Sequence, residues 1–321
     1  MPSIIDSLSS NLLVPTILFF ALGLLAAFAR SDLSIPAGAA KFMSLYLLLS
    51  IGFKGGASLA SHGLDLGLFL ALAAGVFLSF AIPFVAFLLL QIMTRLDRMN
   101  AAAVAGHYGS ISIVTFVTAT SLLELTGLYY DGYMVAVAAA MEVPAILSAL
   151  WLVHRGGGHS TSSPGLWRDL LANGSIVLLT GSLAIGAVTG GQGMDMIAPF
   201  IVTPFTGVLC LFLLDMGLSA GRSLLTNRHM LSCGLFAFGA IMPLVGASMA
   251  WMIGTLIGLP DGSLFLLMVL AASASYIAVP AAMKIALPEA ESGVYLTLSL
   301  GVSFPFNITV GLPLYLWLAT S

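Results

Sequence analysis

Apolar runs of about twenty residues or more, cut by short polar interruptions, recur along the whole of this chain. A bilayer core about 30 Å thick takes about 20 apolar residues as a helix, so each run reads as a membrane crossing. On that rule spans are predicted over 12–29, 36–59, 64–93, 100–123, 131–153, 167–190, 196–221, 230–258, 262–285 and 291–319. The longer ones must tilt, kink or run past the interface. The expectation is an all-α integral membrane protein of about ten transmembrane helices.

Composition agrees. Hydrophobic residues make up 60% of the chain and charged ones 7%, against roughly 25% charged in soluble domains. A net charge of −3 with no basic stripe argues against nucleic acid as a partner. Residues 1–10 lack the basic start of a cleaved signal, so the first helix is expected to be retained. Cys210 and Cys233 lie in apolar runs without CxxC spacing and read as small core residues. No HExxH, GxSxG or nucleotide-loop pattern suggests an enzyme. The polar segment 154–164 (HRGGGHSTSSP) is a seam between two halves, residues 1–153 and 167–321, joined by a linker at 154–166.

Basic residues then orient the spans. Arg30, Arg95, Arg98, Arg155, Arg168, Arg222, Arg228 and Lys284 all fall at one set of alternating loops and helix ends. The opposite loops carry no Lys or Arg and hold Asp65, Glu124, Asp131, Asp195 and Asp261 instead. The positive-inside rule places the first set in the cytoplasm and both termini outside, which for a bacterial inner membrane is the periplasm.

The halves resemble each other. Residues 48–59 (LLSIGFKGGASL) and 213–224 (LLDMGLSAGRSL) share six of twelve positions at an offset of 165. The same offset lays 106–115 (GHYGSISIVT) over 271–280 (AASASYIAVP), and Glu142 over Asn307. Five helices per half is an odd number, so the halves enter the membrane in opposite senses. That is an inverted-topology repeat, common among secondary transporters.

The two hydroxyl-rich segments sit in the middle of spans four and nine. Small and hydroxyl residues there allow close helix approach, and they bond backbone groups freed where a helix breaks. A break at the midplane exposes N–H groups that favour an anion. Packing alone is the plainer reading of either segment; equivalent placement in an inverted repeat points to binding. Glu142 lies halfway along span five, where a carboxylate costs at least about 2.5–3.5 kcal/mol and needs a cation, a proton or a partner side chain. Asp215 is roughly 10 Å from the inner end of span seven, and Lys54 a similar distance from the outer end of span two, so they are not expected to pair. Lys54 is expected to snorkel outward as a solvated anchor, or else to attract an incoming anion. His107, the one deep histidine, reads as a hydrogen-bonded structural residue, with a proton relay as the alternative.

In order and spacing, residues 49–56 (LSIGFKGG), 109–115 (GSISIVT), 141–145 (MEVPA), Met216 and Gly217 within LLDMGL, 271–280 and 312–313 resemble the single-component, sodium-dependent bicarbonate transporter family first known from cyanobacteria. The likeness covers nearly the whole chain, as a divergent, proteobacteria-like member. It implies two inverted five-helix repeats with broken crossover helices at spans four and nine, and a core that moves against a gate. A homotrimer is also implied, with bicarbonate held between the crossovers, sodium nearby as coupling ion and no other cofactor. Gly109, Ser112 and Thr115 match the first crossover motif, and Ser273, Ser275 and Pro280 the second; with Ser110 and Ala274 these are the candidate substrate ligands. Candidate sodium ligands are Glu142, Ser112, Ser275, Asn307 and Asp215. Glu142 stands where the cyanobacterial form has Asp, Tyr276 where it has an acidic residue, and Phe304 where it has a threonine. The last two changes bear on sodium stoichiometry. The linker is much shorter than the cyanobacterial one, which bears on docking of a PII-like regulator. The expected function is import of bicarbonate by sodium symport. Alternatives are a symporter for another small anion or carboxylate, a sodium/proton antiporter, or a non-transporting membrane subunit or receptor.

Overall fold

The computed structural model describes residues 15–62, 66–154, 174–227, 232–276, 279, 280, 283, 287 and 289–321, and these contain helices and no strand. The first ten residues, Asp65, Arg155, Arg168, Arg228, Lys284 and the linker beyond His154 lie outside the described residues. Eight helical stretches are long and apolar enough to cross a membrane, and two shorter apolar helices, 15–28 and 261–272, stand beside them. Among these described stretches, 98–126, 134–153 and 177–201 are interrupted internally.

In chain order the helices are α1 (Pro15–Phe28), α2 (Ala37–His62), α3 (Leu66–Met93), α4 (Arg98–Gly109), α5 (Ile113–Thr126), α6 (Met134–Ala140) and α7 (Glu142–His154). There follow α8 (Gly174–Ile201), α9 (Phe205–Asn227), α10 (Cys233–Leu256), α11 (Asp261–Ala272) and α12 (Ser292–Ala319). Within α12 two π-helical stretches, Thr297–Ser303 and Asn307–Gly311, precede Pro305 and Pro313. Proline lacks an N–H and crowds the carbonyl four residues back, and a π register shift is one way to accommodate it.

Packing sorts the helices into two groups. In one, α1 lies along α9 and α2 along α8. In the other, α3 packs on α4 and α7, α10 on α11, and α3 on α10. Burial is greatest at the interrupted stretch 98–126, where 78% of the apolar window is buried, and least at α8, with 17%.

The glycines of the repeated sequence motif explain the first group. A Cβ at Gly56 would lie 2.0 Å from the Leu183 carbonyl oxygen, and one at Gly217 would lie 2.2 Å from that of Phe20. Each motif therefore presents a small-residue face to a helix from the other half, α2 to α8 and α9 to α1. Close backbone approach of this kind is how helices associate in lipid, where apolar burial offers no driving force.

Gly190 interrupts α8 with φ 56° and ψ −146°, a conformation open in practice to glycine alone. Beyond it the chain folds back. Ile197 lines the same cavity as Ser182 and Ile185, and the Phe200 carbonyl accepts a hydrogen bond from Tyr46 at 2.6 Å. The expected span over 196–221 is therefore corrected: a turn at 202–204 divides it, and α9 begins after Pro204 and runs on to Asn227. Proline pre-sets φ for a helix start and supplies no N–H that would be left open there. A second correction concerns Cys233, which is exposed at the start of α10 while Cys210 is buried; both are free thiols.

Candidate functional site at the crossing of two broken helices

Helix α4 stops at Gly109, and Ser110 is extended at φ −91°, ψ 169°. Ser112 then caps α5, its Oγ accepting from the Thr115 N–H at 3.3 Å. In the other half α11 stops at Ala272, Ser273 is extended at φ −85°, ψ 159°, and the Ser275 Oγ accepts from the Val279 N–H at 3.3 Å. Both breaks thus end on a serine that caps the next stretch. Serine and threonine suit this place because a side-chain oxygen replaces the missing helical carbonyl.

The breaks cross and bond each other directly. The Ser112 N–H donates to Ser273 Oγ at 2.9 Å, and the Ser275 N–H donates to the His107 carbonyl at 2.7 Å. Ser110, Ser112, Thr115, Ser273, Ala274 and Ser275 are all buried, and Gly109 packs on Pro83 of α3. The structure therefore brings together every residue read as a substrate ligand.

Each half's last helix reaches back to its own break. Met141 interrupts the first of these between α6 and α7, placing Glu142 at the N-terminus of α7, where Ser110 Oγ donates to its carboxylate at 2.7 Å. In α12, the Asn307 amide donates to the Ala272 carbonyl at 2.9 Å, and Tyr315 donates to Asn307 Oδ1 at 3.0 Å. Glu142 and Asn307 are both buried. Asp215 is different. It is half-buried on α9, and among the described residues no hydrogen bond or ion pair joins it to the breaks.

Several supporting residues carried no sequence signal of their own. Pro83 and Pro243 sit inside α3 and α10 and leave the carbonyls of Ser79 and Gly239 without their helical donors. Ser303 Oγ donates to the Gly239 carbonyl at 2.7 Å and lies 2.5 Å from Tyr108 Oη. A serine has one proton, so Tyr108 is the donor in the second bond. Ser79 Oγ donates to the Met141 carbonyl at the kink before Glu142. Proline four residues beyond an orphaned carbonyl is the signal that points to such sites.

Donor bookkeeping shows what the crossing can do. Ser110 and Ser273 have spent their hydroxyl protons, on Glu142 and on the Leu270 carbonyl. Among the described residues Ser275 Oγ serves only as an acceptor, Thr115 Oγ1 and Tyr276 Oη are buried with no hydrogen-bond partner, and Ser112 Oγ accepts from Thr115 beside the Tyr276 hydroxyl. The hydroxyl protons of Thr115 and Ser275 and the first N–H groups of α5 are thus uncommitted where the breaks meet. Donors of this kind suit an oxyanion. His107, buried and stacked on Tyr295 at 4.3 Å, donates from Nδ1 to the Ala103 carbonyl, leaving Nε2 bare. Tyr276, buried beside Ser112, sets its ring against that of Phe304 at 5.4 Å.

An all-helical bundle of long apolar helices, with two polar breaks crossing in its interior, is the build of a membrane transport protein. The sequence places it within that class: residues 15–320 match the Na+-dependent bicarbonate transporter superfamily, and the chain belongs to it. No curated protein matches the chain.

Proposed function

We propose that this protein imports bicarbonate together with sodium, exposing one midplane site alternately to the two sides of the bacterial inner membrane. The observation that carries this reading is the set of uncommitted donors of Thr115 and Ser275 at the crossing, beside the buried carboxylate of Glu142. The hydroxyls and the α5 amides replace water around the anion. Glu142, aided by Ser112, Ser275 and Asn307, holds the cation. Anion and cation desolvate together, each offsetting the other's burial cost.

Ten crossings in two inverted repeats, 1–153 and 167–321, fit the pairing of α1 with α9 and α2 with α8, in which each repeat's first helix packs on the other's second. They also fit the parallel roles of Glu142 and Asn307. The group α1, α2, α8 and α9 is the gate, and the remaining helices are the moving core. Hydrogen bonds at the helix ends sort by side. Arg222 bonds the Leu33 carbonyl, Arg98 that of Leu152, and Asn100 the Glu291 N–H, all on the face assigned to the cytoplasm. Asp131 and Ser263 bond each other on the face assigned outside. Tyr276 and Phe304, the two departures from the cyanobacterial pattern, meet as one aromatic contact. This supports a single sodium at Glu142, with no second cation beside Tyr276. A trimer and a PII-like partner belong to the same family-based reading.

Proteoliposomes loaded without sodium test it. Labelled bicarbonate should accumulate when sodium is supplied outside, and neither nitrate nor small carboxylates should compete at equal concentration. Uptake indifferent to the sodium gradient would overturn the symport.

A further inference from the structure

On the face assigned outside lies an open cleft of about 400 Å³, lined by Lys54, Ser58 and Ser61 of α2 and by Gly190, Gly191 and Met194 at the bend of α8. Lys54 is not the solvated anchor its sequence position suggests. Its Nζ is 2.9 Å from Glu124 Oε1 and 4.5 Å from the centroid of the Phe205 ring, and its side chain is 16% exposed against 44% for Glu124. The ammonium is fixed at the wall of a cleft by one aromatic face and one exposed carboxylate.

We propose that this cleft is a staging site for the inorganic oxyanion, in which the anion replaces Glu124 on Lys54 before moving to the crossing; the assignment of the anion rests on the transport reading above. Charge and place both favour it. Glu124, Asp131, Asp195 and Asp261 give that face a negative field, and among the described residues at that end Lys54 is the only Lys or Arg. A recessed cation in an acidic surround is where an incoming anion finds its favourable interaction, and cleft walls of low dielectric focus the field. Exchange is feasible because an ion pair whose carboxylate stays in water adds little net stability. The displaced Glu124 carboxylate has water to return to, whereas the anion gains a partner already held in position by Phe205.

The exchange also has a mechanical consequence. Lys54 stands on α2, in the gate, and Glu124 near the end of α5, the half-helix that leaves the first break. An anion on Lys54 releases the link between gate and crossover on the side from which the substrate arrives.

The decisive property is a difference of sign. If the pair is a staging site, Lys54→Gln removes the anion's partner, while Glu124→Gln removes the anion's competitor. Line broadening of ¹³C-bicarbonate by the purified protein, in sodium-free choline buffer of low ionic strength, reads the staging site without any transport. Broadening should fall at least about threefold in Lys54→Gln and rise about two- to threefold in Glu124→Gln. In proteoliposomes KM should rise in the first variant and fall in the second. The charge-exchanged variant K54E/E124K keeps an ion pair but carries its cation on α5, and it should bind bicarbonate as poorly as Lys54→Gln. Shifts of the same sign in the two single variants, or wild-type binding in the exchanged pair, would make the ion pair a structural strut and end the proposal. Loss of sodium-driven uptake in the wild type with the broadening pattern intact would instead count against the transport reading alone.

Discussion

At the first break a serine hydroxyl points at a carboxylate; at the second an amide points at a carbonyl. Ser110 donates to Glu142, whereas Asn307 donates to Ala272 and is itself held by Tyr315. The backbone is alike on both sides: extended residues after the half-helix, a capping serine, and a polar side chain returning from the same half's last helix. The electrostatics are not alike. The first break carries a carboxylate and a helix N-terminus together, and the second closes its hydrogen bonds with neutral groups. Two breaks of like backbone carry unlike charge, and on the proposed function the cation therefore belongs to the first of them.

Glu142→Gln is the strongest way to break this contrast. The substitution keeps the shape and loses the charge, and sodium-dependent uptake should fall by at least about tenfold, the equivalent of about 1.4 kcal/mol. Uptake rates across a sodium titration would show it, and an unchanged sodium dependence would move the cation elsewhere. The backbone symmetry is tested next. A Cβ at Gly109 would lie 2.3 Å from Pro83 Cγ, and one at Gly246 would lie 2.1 Å from the Ala271 carbonyl oxygen. Both Gly109→Ala and Gly246→Ala should destabilise the protein by about 1–3 kcal/mol, seen as lower melting temperatures in detergent. A loss at only one of them would mean that the two breaks are not clamped alike.

An effect of similar size is expected where the breaks touch. Ser273→Ala strips the Ser112 N–H of its acceptor, and a buried donor left open costs about 1–3 kcal/mol. Hydrogen exchange at 110–116 should quicken in that variant while the exchange of α10 stays as it was. The smallest change is Tyr315→Phe, which removes one donor from Asn307 and should cost about 0.5–1.5 kcal/mol by thermal melting. Sodium dependence should survive it, since Tyr315 touches only the neutral break.

Much of this was legible from residue order. Runs of apolar residues locate helices because lipid tolerates no other open backbone, and the two glycine motifs mark close contacts because nothing larger fits. Hydroxyl-rich segments in the middle of spans four and nine pointed to the breaks, and the structure brings their residues together. Sequence also gave the places of Glu142 and Asn307, though not their partners. The kink before Glu142 has its signal in Pro144, which lacks the N–H that the Ala140 carbonyl would need, but the bond from Ser79 to the Met141 carbonyl was not legible.

Tertiary structure decided the rest. Residues 196–201 (MIAPFI) are apolar, so hydropathy reads them as the start of a crossing. Only the backbone of Gly190, at φ 56° and ψ −146°, turns them back, and nothing in the sequence sets that glycine apart from the chain's many others. Lys54 and Glu124 are 70 positions apart, and depth along separate helices does not say which side chains will meet. Sequence fixes what each residue can donate, accept or bury, since that is local chemistry. Which donor meets which acceptor depends on how helices distant along the chain lie against one another, and that is a property of the packed molecule alone.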